Sequence, residues 1–512
     1  MHSSDFIQNT FMRMDRRAYA LFIGLLIGGA GAAIGLTMTM MGPVMTFAFV
    51  LGGLAALYII TDVQAALYTI IAIMMLLPYG TLPFDIGFTP TLLDLAIGGF
   101  LVVYLTGWMI GDRRRLTLTP VHPLLILYIL WVLLAFALGL SHSPITTSIA
   151  RQFVGLLLSL SLVFVIVDLM RDPVLLRRLV LVILVVVAMQ ALITLGLYIL
   201  PDQTADNLLA RLARIGYPNG GVIRYIEENP ALAERAIGTW NDPNSLGGIL
   251  AIAAVIIAPQ VFAKKPVLRY RLLTLGVLGF VGLALFLTYS RASMAAMAAG
   301  LGVIAVVRYR RFIPLMLLAT LLILLLPQTQ AYVQRFAEAL TFSDLASQMR
   351  LGEYSDSIRL ISRYPVFGVG FTGTPDIDIY TDVASLYLIM ANQIGLVGLG
   401  LFIVFIVGVL LYGVHTYSFA RKDDELDAIH LGYHAALITA LVNAVGDLFF
   451  FRLDFQASIT MFWLTITLAL AASRLATERE HVRQAANQPL PNAPISGRIA
   501  PVITHAQPDA AP

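Results

Sequence analysis

Cysteine is absent from all 512 residues. Disulfide frameworks, thiolate nucleophiles and cysteine zinc sites are therefore excluded. Charge is scarce: 12% of residues are Asp, Glu, Lys or Arg, against 59% hydrophobic, and mean hydropathy is +0.84. That balance lies far outside what a water-soluble domain can bury, so the chain is a membrane protein. Lysine occurs only at Lys264, Lys265 and Lys422, and there are 8 histidines. Net charge is +3 and the pI about 9.0. In a membrane chain basic residues chiefly set orientation, so this excess does not point to nucleic acid.

A bilayer core of about 30 Å takes roughly 20 apolar residues per helix. Runs of that kind predict an all-α, polytopic integral membrane protein with about 14 transmembrane helices. They fall near 18–38, 42–60, 63–79, 91–111, 122–140, 152–170, 179–200, 244–262, 272–289, 292–307, 312–328, 385–415, 428–449 and 455–473. The first three are separated by such short breaks that the range is 12–14. Residues 1–17 are polar, carry Arg13, Arg16 and Arg17, and are followed by no clear cleavage site, so the first run reads as an uncleaved span after a cytoplasmic N-terminus. The membrane domain is expected over 18–474. Residues 475–512, rich in Pro and Ala towards the end, are expected to be a disordered cytoplasmic tail.

With the N-terminus inside, 22 of the 33 Lys and Arg fall on inner segments, and every short inner loop is basic. Both termini are then inside, and two long segments, 201–243 and 329–384, face out. Long structured loops are where function tends to sit. The second contains an amphipathic helical pattern from about Leu345 to Tyr364, suited to lying on the membrane surface.

All 11 outer cations are Arg, whose planar guanidinium grips phosphate bidentately. Arg291 sits in LFLTYSRASMAA, where one span turns directly into the next. A charge there is either functional or an interfacial anchor paired with a carboxylate such as Asp447. Arg235 opens RAIGTWNDPNSLGG, in which Asn241, Asp242 or Asn244 can cap the following helix; Asn244 serves either packing or substrate. Arg350, Arg359 and Arg363 lead into YPVFGVGFTGT. Its glycines permit a tight turn, but helix before turn is the reverse of a phosphate-binding loop, so they read as structural. Asp376, Asp378 and Asp382 follow as a general base, a loose divalent-ion site or a solvated acidic loop. His142 is alone among histidines in an outer loop. His430 and His434 share a helix face near the inner end and read as packing, so no metal site is expected.

Four segments in order, RAIGTWNDPNSLGG, LTYSRASMAA, RLGEYSDSIRLISRYPVFGVG and SLYLIMANQIGLVGLGLF, resemble the O-antigen ligase and polymerase superfamily over residues 230–415. The resemblance implies a metal-independent membrane glycosyltransferase without cofactors. Its implied partners are an undecaprenyl diphosphate-linked glycan donor, a glycan or lipid-linked acceptor, and membrane lipids, at the outer face of the cytoplasmic membrane. It implies that Arg235, Arg291 and Arg350 bind the donor diphosphate and that Asn244 shapes the adjacent helix start. Where ligases of this kind carry a His-Asn pair, this chain has Ala384 and Ser385, and Gln393 replaces an acidic residue before Gly395. Three explanations fit: a polymerase-type member whose base is Asp376, Asp378 or Asp382, a distinct acceptor, or loss of activity. The first is preferred. A lipid-linked glycan transporter or flippase, and a noncatalytic envelope-assembly protein, are the rivals.

Overall fold

The computed structural model describes residues 62–487 apart from 84–86, 88, 112–115, 326–329, 342–344 and 374–381, together with scattered positions between 21 and 53. The first two expected spans fall largely outside the described residues. From there the chain is almost wholly helical. Helices α1 (Val63–Leu76), α2 (Leu92–Met109), α3 (His122–Gly139), α4 (Thr147–Leu169) and α5 (Pro173–Ile199) come first. The short α6 (Asp202–Ala210) and a two-residue antiparallel ladder, β1 (Arg224–Tyr225) with β2 (Glu234–Arg235), occupy the first long loop. Then follow α7 (Pro243–Ile257), α8 (Arg271–Leu287), α9 (Arg291–Val307), α10 (Ile313–Leu325), α11 (Gln330–Thr341) and α12 (Leu345–Arg363). The last three are α13 (Leu386–Ala420), α14 (Leu426–Asn443) and α15 (Gln456–Asn487).

Among the described residues, 7 helices are long and apolar enough to cross a membrane. The chain is thus a multi-pass membrane protein. The interior helix α7, and α15 as far as Ala476, bury nearly all their side chains, while α2, α3, α8 and α13 leave large apolar residues on the outside, as a lipid-facing rim requires. Amphipathic α12, expected from the sequence at about 345–364, forms at Leu345–Arg363.

The polar stretch beyond Arg474 corrects one expectation. Disorder was expected from 475, but α15 continues to Asn487. Its charges are paired: Arg479 and Arg483 reach Asp423 at 2.6 and 3.3 Å, Lys422 reaches Glu480 at 2.6 Å, and Arg474 meets Glu478 at 3.0 Å. Polarity there reflects an ion-pair network against the α13–α14 turn. Residues 488–512 lie outside the described residues.

One feature of α13 positions much of one end of the bundle. At Gly395 the backbone leaves helical geometry (φ 72°, ψ 174°), which frees peptide groups that a bilayer environment cannot satisfy. The loop after α12 pairs them: Val369 N–H donates to Asn392 O at 2.8 Å, Gly370 N–H to Gln393 O at 2.9 Å, and Leu396 N–H to Pro365 O at 2.8 Å. Trp131 Nε1 donates to Ile394 O at 2.8 Å and its ring stacks on Phe367. A Cβ at Gly395 would collide with the Val366 carbonyl, and one at Gly370 with Gly139. The glycines of YPVFGVG are thereby explained as structural.

Gly395→Ala is expected to cost about 3 kcal/mol or more, because strain at positive φ adds to a backbone overlap. Thermal unfolding in detergent checks this; an unchanged melting temperature would contradict the role assigned to the break.

Candidate functional site

The stretch from Arg235 to Gly248 folds onto the junction between α8 and α9. Asp242 is the cap of α7, accepting from Ser245 N at 2.7 Å, and Pro243 suits the first helical position. That leaves Asn244 free for another task. Its Oδ1 accepts from an Arg235 Nη at 2.7 Å, while Arg235 Nε donates to Thr288 O at 2.9 Å. Arg235 is therefore locked in place between the start of α7 and the end of α8.

Arg291 begins α9 directly after this contact. The turn before it places Tyr289 at φ 53°, and Ser290 precedes the helix without a side-chain cap. Ser290 and Ser293 hydroxyls lie 2.9 Å apart, and Ser293 Oγ donates to Asn244 O at 3.5 Å. Gly247 allows this approach, since a Cβ there would meet both serines. Two helix starts thus meet at one point, with their backbone N–H ends adding positive potential to that of the Arg235 guanidinium.

Arg350 arrives from α12. Its guanidinium and the Ala292 methyl both border Gly446, in the turn after α14. Helix α12 is seated by Glu353, which accepts from Ala384 N at 3.0 Å, and by Ser357, which donates to Asn392 Oδ1 at 2.9 Å. Arg350 itself is half-buried and makes no hydrogen bond or ion pair among the described residues.

Next to Gly446 lies Asp447, a group that sequence reasoning considered only as a pairing partner for Arg291. It is 5% exposed and its Oδ2 has no hydrogen-bond partner. Burial pushes its carboxyl up to about 7; Asp242 adds to this, and Arg350 and Arg235 oppose it. Other buried atoms nearby are also unpaired: Asn241 Oδ1, and both side-chain polar atoms of Asn443, which borders Gly248. Unpaired buried polar groups are costly, and several of those among the described residues lie near this carboxylate. The one sequence signal available for Asp447 was a carboxylate at the end of an apolar run.

The O-antigen ligase family model matches residues 275–403. Over those residues the chain is similar to O-antigen ligases. Within this stretch lie Arg291 and Arg350, whereas Arg235, Asn244 and Asp447 come from flanking segments that close on the same junction. No curated protein matches the chain.

Of the acidic residues singled out in the loop before α13, Asp376 and Asp378 lie outside the described residues. Asp382 is held by Arg452 at 3.2 Å, and the same guanidinium binds Asp454 at 2.9 Å. Burial raises the Asp454 carboxyl, offset in part by Arg452. The histidines His430 and His434 stack 4.1 Å apart and are bonded to Thr416 and Ser473, a packing arrangement within α13–α15.

Asp447 offers a test that needs no substrate. Its carboxyl stretch, followed by difference infrared spectroscopy, is expected to titrate near pH 7, and Arg350→Ala is expected to move the midpoint higher by removing a stabilising cation. A midpoint near 4 in the native chain would contradict the buried setting.

Proposed function

We propose that the protein is a membrane glycosyltransferase of the polysaccharide-polymerase type, joining undecaprenyl diphosphate-linked oligosaccharides at the outer face of the cytoplasmic membrane. The observation that carries this reading is the approach of Arg235 and Arg350 to buried Asp447, with the start of α9, which carries Arg291, packed beside Gly446 through Ala292. The orientation rests on the bias of Lys and Arg. The loops holding Arg177, Lys264, Lys265, Arg308, Lys422 and Arg479 contact one another at the other end, through Arg177 to Lys265 O, Lys264 to Asp424 and Arg479 to Asp423.

In this proposal the acceptor hydroxyl attacks the anomeric carbon of the donor, a new glycosidic C–O bond forms, and the bond to the diphosphate oxygen breaks. The diphosphate leaves with the electron pair, and three guanidiniums in a desolvated setting stabilise its charge. The hydroxyl proton passes to Asp447, whose raised pKa suits a base working near neutrality. Asp376, Asp378 and Asp382 form the alternative base set. Asn244 positions Arg235 and takes no proton. Ala384 and Ser385, at the places where ligases of this kind carry His-Asn, are consistent with a base supplied from elsewhere.

A transporter reading draws on the broken helix α13, since discontinuous helices often mark substrate sites in transporters. Here the groups freed at Gly395 are taken up by Val369, Gly370, Pro365 and Trp131, leaving them unavailable to a cargo. Transfer is therefore preferred.

Turnover of lipid-linked glycan by the purified protein in liposomes tests the proposal. Arg291→Ala and Asp447→Asn are each expected to lower turnover by about 100-fold or more, and native turnover should rise with pH through about 7 as Asp447 loses its proton. If Asp447→Asn stays fully active while Asp376→Asn, Asp378→Asn or Asp382→Asn is dead, the base belongs to the loop before α13. No turnover with any acceptor contradicts the enzyme reading.

A further inference from the structure

A second concentration of positive charge lies at the end of the bundle away from Arg291, where the loop after α7, the turn between α9 and α10, and the end of α13 enclose a cavity of about 600 Å³. Its lining carries Lys264, Arg308, Arg310, Arg311 and Arg421 against one carboxylate, Asp427. Two of these cations are committed: Arg308 to Asp427 at 2.8 Å, and Lys264 to Asp424 at 2.8 Å. The other three have no carboxylate partner among the described residues. Arg310 donates to Val306 O at 3.0 Å, and Arg311 lies over the Phe312 ring at 5.1 Å.

The orientation rule accounts for basic loops, but it does not require three separate segments to bring their cations to one concave site. The walls are also fixed. Phe262 packs on Tyr309 and Phe312 with ring centroids 4.9 and 4.6 Å away, tying the loop after α7 to the α9–α10 turn. Arg310, Arg311 and Arg421 are exposed at the rim, and three guanidiniums gathered at one concave site without a carboxylate ion pair among the described residues attract an anion. Beside the cavity, Val306, Val307, Leu317 and Leu318 present exposed apolar side chains. A ligand there can keep an anionic head among the arginines and an acyl chain along α9 and α10.

We infer that this cavity is a binding site for a phosphate group, carried on the headgroup of an anionic membrane lipid. The site is separate from the Arg291 junction, and the inference does not depend on glycosyl transfer. Arg310, Arg311 and Arg421 hold the phosphate, Arg308 is kept in place by Asp427, and the exposed valines and leucines favour a lipid over a soluble anion.

The test uses the full chain in neutral detergent after lipid removal, with native mass spectrometry and thermal unfolding as readouts. Phosphatidylglycerol, phosphatidylcholine and inorganic phosphate are added separately. The expected result is retention of phosphatidylglycerol about tenfold or more above phosphatidylcholine, lost when Arg310→Gln, Arg311→Gln and Arg421→Gln are combined and largely kept when the same three are changed to Lys. The Lys variant guards against a loss that merely reflects misfolding. Inorganic phosphate protecting the native chain as well as the lipid does would overturn the lipid assignment and leave a soluble phosphate as the ligand. Equal retention of both lipids with no response to phosphate would overturn the site altogether.

Discussion

An unpaired peptide group in hydrocarbon costs several kcal/mol, and the hydrogen bonds that heal the break at Gly395 are the constraint on which the site end of the bundle depends. Because Val369, Gly370 and Pro365 must meet α13, the loop after α12 is drawn into the bundle. That fixes α12 against α13, with Ser357 on Asn392 and Glu353 on Ala384. Arg350 is carried on this same helix, so its place beside Gly446 and Asp447 follows from backbone pairing as much as from attraction between charges.

Around that anchor the molecule separates its charges. At one end, most cations are matched to carboxylates in a network linking Asp423, Asp424, Asp427 and Glu480 to lysines and arginines. At the other, Arg235 bonds an asparagine side chain and a backbone carbonyl, which hold its geometry. A guanidinium kept in place is what an incoming diphosphate needs. The Asp447 carboxyl, on which Arg350 and Arg235 both act, is buried deeply enough that its pKa is raised to about 7.

Much of this was legible in the sequence. Hydropathy located the apolar helices from Val63 onward, because hydrocarbon burial imposes a length and composition that survive without tertiary information. RAIGTWNDPNSLGG and LTYSRASMAA read as separate segments, and Arg235 of the first bonds the Thr288 carbonyl of the second. Other features were hidden for physical reasons. The break at Gly395 falls within an unbroken apolar run, and hydropathy does not register a single φ/ψ change. Asp447 lies far along the chain from Arg350, and its unpaired oxygen and raised pKa exist only once helices from distant segments enclose it. The polar stretch 475–487 resembled a solvated tail because its partner Asp423 sits on another helix turn.

The central claim is that one junction holds the donor diphosphate. An experimental structure of the full chain in a lipid nanodisc with undecaprenyl diphosphate tests it most directly. The account predicts the diphosphate within hydrogen-bonding reach of Arg291 and Arg350, with Arg235 still held by Asn244 and Asp447 facing the bound group. A diphosphate seated elsewhere, whether beside Arg452 or in the basic cavity at the opposite end, would contradict it.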